Sequence, residues 1–449
     1  MPRVAGSSFS EVHLGEHEEA DPIELDPDRP FRVLLAGDFS GRSWRENPPG
    51  PFTPKRIDRD NFDDVLASMK VSLSLHGLTL SFREFEDFHP DRIYELPIFQ
   101  DLDRHLPSAP PLAPPSPATP PAAAAARAPS SGSLLDQLLD EQDPEPEAPV
   151  NLQDATDLAG FIKRVSKGQL APLPDPSKEQ RKAQRNALAT ELLQGILHHP
   201  RMQAIEAAWR AAFMLIRGLD SDADLHVYLL DITLPELVSE MGAVQKELRK
   251  KGPWALIAGN YTFAQTELDA QVLRRLAALG SSVGAPFLAE AQLPREGTEQ
   301  AWRDLRHSPE APWIGLALPR FLLRLPYGKD TVAIDSFPFE EMPKSEHGSY
   351  LWGNPAFFCA YLLGKSYLEQ GWGMTRLERR VDGLPMHVYR EDGEPVAKPC
   401  AEILMTEKDA ESLLDAGFMP VASLKEQPAA MVVRFQSIAE PLVPLAGLR

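Results

Sequence analysis

The sequence predicts a mixed α/β fold, with sheet strands and covering helices in alternation. Three observations carry this. In the second half, apolar β-type runs (LHVYLLDI, WALIAG, PFLAEA) alternate with amphipathic helical stretches. Near-continuous apolar strands separated by helices imply a parallel or mixed sheet covered on both faces. Near the N-terminus, FRVLLAG precedes a helical stretch and a pair of alternating runs. Between these regions lies a proline-, alanine- and serine-rich stretch that buries too little apolar surface to fold.

Residues 1–29 are acidic and poor in large apolar side chains, which predicts a disordered arm. Order is expected from Phe31, in a small unit over 30–106. The glycine at 37 ends its first strand. In DRDNFDDVLASMK, Phe62, Val65, Leu66 and Met69 form one helical stripe, with Asp60 as the N-cap and Asp63 three residues on. VSLSL and LTLSFREF alternate about His76-Gly77 and predict a hairpin.

Residues 107–150 read as a linker, semi-rigid at about 3.1 Å per residue where polyproline-like. It contains one helical island, 133–142. Ser133 caps it, Asp136 takes the capping-box position, and Leu134, Leu135, Leu138 and Leu139 form one ridge. So short a helix is marginal alone. It suits a partner's groove, or docks on its own large domain.

The large domain is expected over 151–449. ATELLQGILHHP sets Leu192, Leu193, Ile196 and Leu197 on one face, and Pro200 stops that helix. The next helix carries Met202, Ile205, Trp209, Phe213 and Ile216, with Gly218 as its C-cap. TLPELVSEMGAVQKELRKKG predicts one helix opened by a Thr233–Glu236 capping box. Strands at WALIAG and PFLAEA flank the helix LDAQVLRRLAALG.

Composition excludes several function classes. With 449 residues there is material for two or three cores. A net charge of −19 and the lack of a basic patch argue against a nucleic-acid partner. The cluster KEQRKAQR reads as a solvated helix face. Two cysteines, Cys359 and Cys400, cannot form a disulfide framework, and suit a reducing compartment. There is no leader pattern and no apolar run of about 18 residues, so a cytoplasmic protein without membrane insertion is expected.

No motif marks catalysis, a cofactor or a metal, and none of the three is expected. AGDFSGR has two glycines and no following Gly-Lys-Ser/Thr, so a tight turn after a strand is preferred to a phosphate loop. His198 and His199 are adjacent, diverge by about 100° on a helix, and cannot form an i,i+4 metal pair. The unusual stretch is GLALPRFLLRLPYG, Gly315 to Gly328. Pro319 and Pro326 restrict its backbone, and Arg320 and Arg324, four apart, share one face on a helix or a strand. In an acidic protein, carboxylates of the same chain or of a neighbouring subunit are their natural partners.

Two sets of blocks resemble the type VI secretion contractile sheath. PFRVLLAGDFSGR, RIDRDNFDDVLASMKVSLSL and LSFREFEDFHPDRI resemble its small subunit (TssB). ILHHPRMQAIEAAWR, HVYLLDITLPEL, WALIAGNYTF, GAPFLAEA, WIGLALPRFLLRLPYG, YLWGNPAF, GLPMHVYREDGE and AGFMPV resemble its large subunit (TssC), with Ala211 and Ala212 where that family has Gly-Leu. The resemblance implies a sheath-like fold made of a small-subunit segment joined to a large-subunit segment. It also implies that both segments stop short of the C-terminal regions that interlock sheath protomers. It implies sheath subunits and an inner tube protein as partners, with the baseplate beside them. The leucines at 134–139 resemble a segment gripped by a AAA+ disassembly ATPase. Two functions are open: a fused structural sheath subunit active in assembly and contraction, or a non-polymerising sheath-like adaptor or cap.

Overall fold

A computed structural model describes residues 29–45, 52–75, 77–105, 178–219, 224–294, 299–342 and 345–448. The acidic arm up to residue 28, the proline-rich stretch and the leucine island fall outside the described residues.

The first segment contributes β1 (Phe31–Gly37), β2 (Lys55–Ile57), α1 (Phe62–Met69), and the hairpin β3 (Val71–Leu75) and β4 (Leu78–Phe82). Three short helices follow: α2 (Pro90–Tyr94), α3 (Pro97–Gln100) and α4 (Leu102–His105). The second segment opens with α5 (Lys178–Leu197) and α6 (Pro200–Gly218). An alternating series comes next: β5 (Leu225–Asp231), α7 (Leu234–Ser239), α8 (Met241–Lys250), β6 (Leu256–Phe263), α9 (Glu267–Val283), β7 (Phe287–Ala291), α10 (Gln300–Arg306) and β8 (Ile314–Leu318). Beyond it lie β9 (Phe321–Leu322), β10 (Trp352–Gly353), α11 (Pro355–Gln370), β11 (Arg380–Asp382) and the hairpin β12 (Val388–Glu391) and β13 (Glu394–Ala397). The described chain closes with α12 (Glu407–Asp415), β14 (Met419–Ser423) and β15 (Ala429–Val432).

One nine-stranded sheet, ordered β11-β15-β14-β8-β7-β6-β1-β5-β2, organises the described residues. Its centre is parallel, β2 and β15 run against it at the two flanks, and the edge strand β11 pairs antiparallel with β15. The mixed α/β class is therefore observed. The N-terminal segment does not stand beside this sheet. Its strand β1 lies inside, with Phe31 paired to Leu225 on one side and Val33 to Leu256 on the other.

The period-2 alternation of β1 divides its side chains between two cores. Phe31, Val33 and Leu35 enter the core beneath α1, α5, α6 and α11, while Leu34 and Ala36 enter the one beneath α7 to α10 and α12. A strand buried on both faces is apolar nearly throughout, which is why FRVLLAG carries a single charge, the partly buried Arg32 at its start.

Local details depart from the sequence expectations in four places. The α1 cap is Asn61, not Asp60: Asp58 accepts the N–H groups of both Asp60 and Asn61, and Asn61 accepts that of Asp58, so the turn closes one residue later. The run predicted as a single helix after Thr233 is two helices jointed at Glu240, although its capping box forms. Pro200 does not merely stop α5. It is the first residue of α6, with the His199 ring accepting the Arg201 N–H as cap. Gly218 lies within α6 in ordinary helical backbone, and a Cβ there would stand 2.4 Å from the Tyr361 ring, so close packing against α11 explains the glycine.

Candidate functional site

In doubly wound sheets, ligands bind at the carboxyl ends of the strands where the order reverses. The parallel strands here run β5-β1-β6-β7-β8, which puts that point beyond Gly37 at the ends of β1 and β6. The turn AGDFSGR occupies it. Asp38 accepts the N–H groups of Gly41 (2.8 Å), Arg42 (2.7 Å) and Ser43 (2.8 Å), and Gly41 sits at φ 82° to allow the curl. Asp231, from the end of β5, accepts the N–H groups of Phe39 and Ser40 and the Ser40 hydroxyl. The amides that would cradle a phosphate are already bound to the chain's own carboxylates. This is the tight turn expected from the sequence.

The same turn joins the two segments. Arg42 grips Glu236 with a forked pair of hydrogen bonds, so the capping-box glutamate also holds the N-terminal segment. Trp209, fully buried on α6, donates its indole N–H to the Phe39 carbonyl at 2.7 Å. Ala211 and Ala212 are buried on the same helix. At the other end of β1, Trp372 donates to the Arg29 carbonyl, and the Arg29 guanidinium lies over its ring at 3.8 Å.

The arginine path follows β8, whose five residues are all buried. Arg320 and Arg324 go to different places, because β8 ends at Leu318, β9 is two residues long, and neither helix nor long strand carries the pair. Arg324 is 9% exposed and lies between two fully buried carboxylates. Its Nε donates to Glu206 Oε1 at 2.8 Å, and its two terminal nitrogens donate to Glu341 at 2.7 and 2.9 Å. Arg210 also donates to Glu206 and reaches the Tyr327 hydroxyl, so two arginines balance two glutamates. Glu341 accepts the Tyr327 N–H as well, and His198 Nε2 lies 3.4 Å away. Burial pushes the Glu341 carboxyl up, but Arg324 and the donors around it win and hold it at about 2.

Arg320 is 39% exposed. It makes a bidentate pair with Glu402, at 2.8 Å from Nε and 2.5 Å from Nη2, and its Nε lies 4.0 Å from Glu290. The Glu402 N–H also donates to the Arg320 carbonyl, so backbone and side chain both tie these segments. Glu290, at the end of β7, is pushed up to about 7 by burial, against the pull of Arg320. His347 Nε2 lies 3.0 Å from Glu402 Oε1.

Leu134, Leu135, Leu138 and Leu139 lie outside the described residues. The carboxylates Glu206, Glu341, Glu402, Asp38 and Asp231 were not anticipated. One signal was available: Glu206 interrupts the apolar face formed by Met202, Ile205 and Trp209, and a charge in such a stripe implies a buried cation to meet it. Among the described residues, no three His, Cys, Asp or Glu side chains gather to hold a metal, and no helix is long and apolar enough to cross a membrane.

Comparison with known proteins assigns both segments. The VipB family (EvpB, tail sheath N-terminal domain) matches residues 180–295 and 293–439, more than half of the chain. The type VI secretion system family VipA matches residues 15–97. The type VI secretion system sheath protein TssC1 of Pseudomonas aeruginosa is 29% identical over 290 residues, covering 55% of this chain and 58% of that protein. The chain thus spans a little over half the length of that relative.

Proposed function

The chain belongs to the VipB tail-sheath family of type VI secretion, with a VipA segment ahead of it, and from that premise we propose that it is a fused small-and-large sheath subunit acting in sheath assembly and contraction. One observation supports this above the others. The VipA-matching segment supplies β1, a strand buried between β5 and β6 of the VipB-matching segment. The two segments therefore form a single structural unit, with a shared core on each face of the sheet.

As a sheath subunit it would act in the cytoplasm, as structural material rather than as an enzyme. It would associate with further copies or with separate sheath subunits, surround an inner tube protein and meet the baseplate. Leu134, Leu135, Leu138 and Leu139 would offer their ridge to a AAA+ disassembly ATPase. Leu135→Asp with Leu138→Asp should abolish binding to the N-domain of that ATPase, and unchanged affinity in a titration would remove this part of the proposal.

Negative-stain electron microscopy of the purified full chain, alone and with separate small and large sheath subunits, tests the main reading. Tubes that contain the chain along their length are expected. Discrete particles, or particles at tube ends alone, would assign it to an adaptor or cap instead.

A further inference from the structure

We propose that Lys398 is an acyl-acceptor lysine, placed for covalent N-acylation by small acyl phosphates, with His347 as its base and Glu402 orienting His347. Lys398 follows β13, and its Nζ lies 3.3 Å from His347 Nδ1. His347 Nε2 lies 3.0 Å from Glu402 Oε1. A carboxylate only accepts, so the imidazole proton belongs on Nε2 and the Nδ1 lone pair faces the amine. Glu402 is fixed in turn by the bidentate pair with Arg320. Nucleophile, base and orienting group thus stand in sequence within hydrogen-bond reach, the geometry that activates a weak nucleophile.

The surroundings suit a reactive amine. The Lys398 backbone N–H donates to the His387 carbonyl at 2.7 Å, which anchors the residue. Tyr350 and Trp352 flank Nζ, their ring centroids 5.4 and 5.7 Å away, and position it, although their faces favour the ammonium that His347 has to deprotonate. The charged and titratable groups facing it are His347, Glu402 with Arg320 behind it, and Tyr350. Burial pulls the Lys398 amine below its ordinary range, and the Glu402 charge opposes that. His347 is exposed and Lys398 partly so, which leaves room for a small donor.

The step balances without an oxidant or reductant. The neutral Nζ attacks the carbonyl carbon of the acyl phosphate, and an N–C bond forms as the C–O bond to phosphate breaks. Phosphate leaves with that electron pair. The proton shed by nitrogen passes to His347 Nδ1 and then to water. The product is an uncharged amide. It removes the cation from between Tyr350 and Trp352, along with the contact to His347, so the β12–β13 hairpin loses an anchor at its base.

Trace labelling of the full-length chain with limiting acetyl phosphate, read by peptide mass spectrometry, tests this. Lys425, whose side chain is 91% exposed, is the internal reference. Exposure alone would make Lys425 the faster. The expected result is the reverse, with Lys398 ahead by about threefold or more. H347A should bring the ratio below one while circular dichroism stays unchanged, and E402Q should lower it too. A ratio below one in the wild-type chain, or a ratio that neither variant alters, would overturn the proposal.

Discussion

Trp209 donates its indole N–H to the carbonyl oxygen of Phe39 across 170 positions of sequence, at 2.7 Å, with both groups buried. The bond ties the helix α6 to the turn that ends β1. The rings also meet edge-to-face at 5.6 Å, and Phe62 of α1 adds a second edge contact to Trp209 at the same distance. Trp209→Phe keeps most of the packing but leaves a buried carbonyl without a donor. It should cost about 1–3 kcal/mol of stability in urea unfolding. Trp209→Ala, which also opens a cavity, should cost about 3–5 kcal/mol. If the two variants were equal, the hydrogen bond rather than the ring would dominate this junction.

Glu341 sets an acid limit on the fold. Its folded value of about 2 lies below the ordinary 4.5. A depressed acid contributes stability that is present above the ordinary value and lost as pH falls through the folded one. The loss should therefore run from about pH 4.5 down to about pH 2 and amount to about 3 kcal/mol. Glu341→Gln keeps the shape but leaves Arg324 with Glu206 alone. The variant should be less stable at pH 7 by about 3–5 kcal/mol, and its stability should fall less steeply in acid. Chemical denaturation at pH 3, 4, 5 and 7 reads both effects.

Glu290 acts in the opposite direction and in another window. Its folded value of about 7 lies above the ordinary 4.5. Its contribution is complete below the ordinary value and lost as pH rises towards 7, because the charged form is buried beside one arginine 4.0 Å away. Glu290→Gln should remove this slope. Relative to wild type, the variant should gain stability between pH 5 and pH 8, by up to about 3 kcal/mol. Parallel urea midpoints for the two proteins would show no pH-dependent divergence if Glu290 were ordinary.

The helices and strands of this fold were legible because they are local. FRVLLAG carries the signature of a strand buried on both faces, and the Thr233–Glu236 capping box is written in four residues. The place of β1 in the sheet was not legible. Its partners begin at Leu225 and Leu256, and no local pattern encodes pairing across so much chain. The same holds for the arginines. Their spacing of four suggested one face, but partners at Glu206, Glu341 and Glu402 pull one inward and leave the other at the surface. Glu236 could be read as a capping residue, while its second role, holding Arg42, depends on a contact 194 residues away.

Arg320 and Arg324 should separate in their response to charge reversal. Arg324→Glu would set three carboxylates together in a dry pocket, with Arg210 the remaining cation among the groups described there. That should cost more than about 4 kcal/mol and abolish the cooperative thermal transition. Arg320 is 39% exposed, but Glu402 and Glu290 beside it are 14% and 15% exposed, so Arg320→Glu should cost less than Arg324→Glu, about 1–3 kcal/mol. If the Arg320 surface meets a neighbouring sheath subunit, the variant should keep a cooperative thermal transition at a moderately lower temperature and yet form few tubes or mixed assemblies in negative stain. A large fall in melting temperature with normal assembly would instead make Arg320 a purely internal brace between β9 and the segment around Glu402.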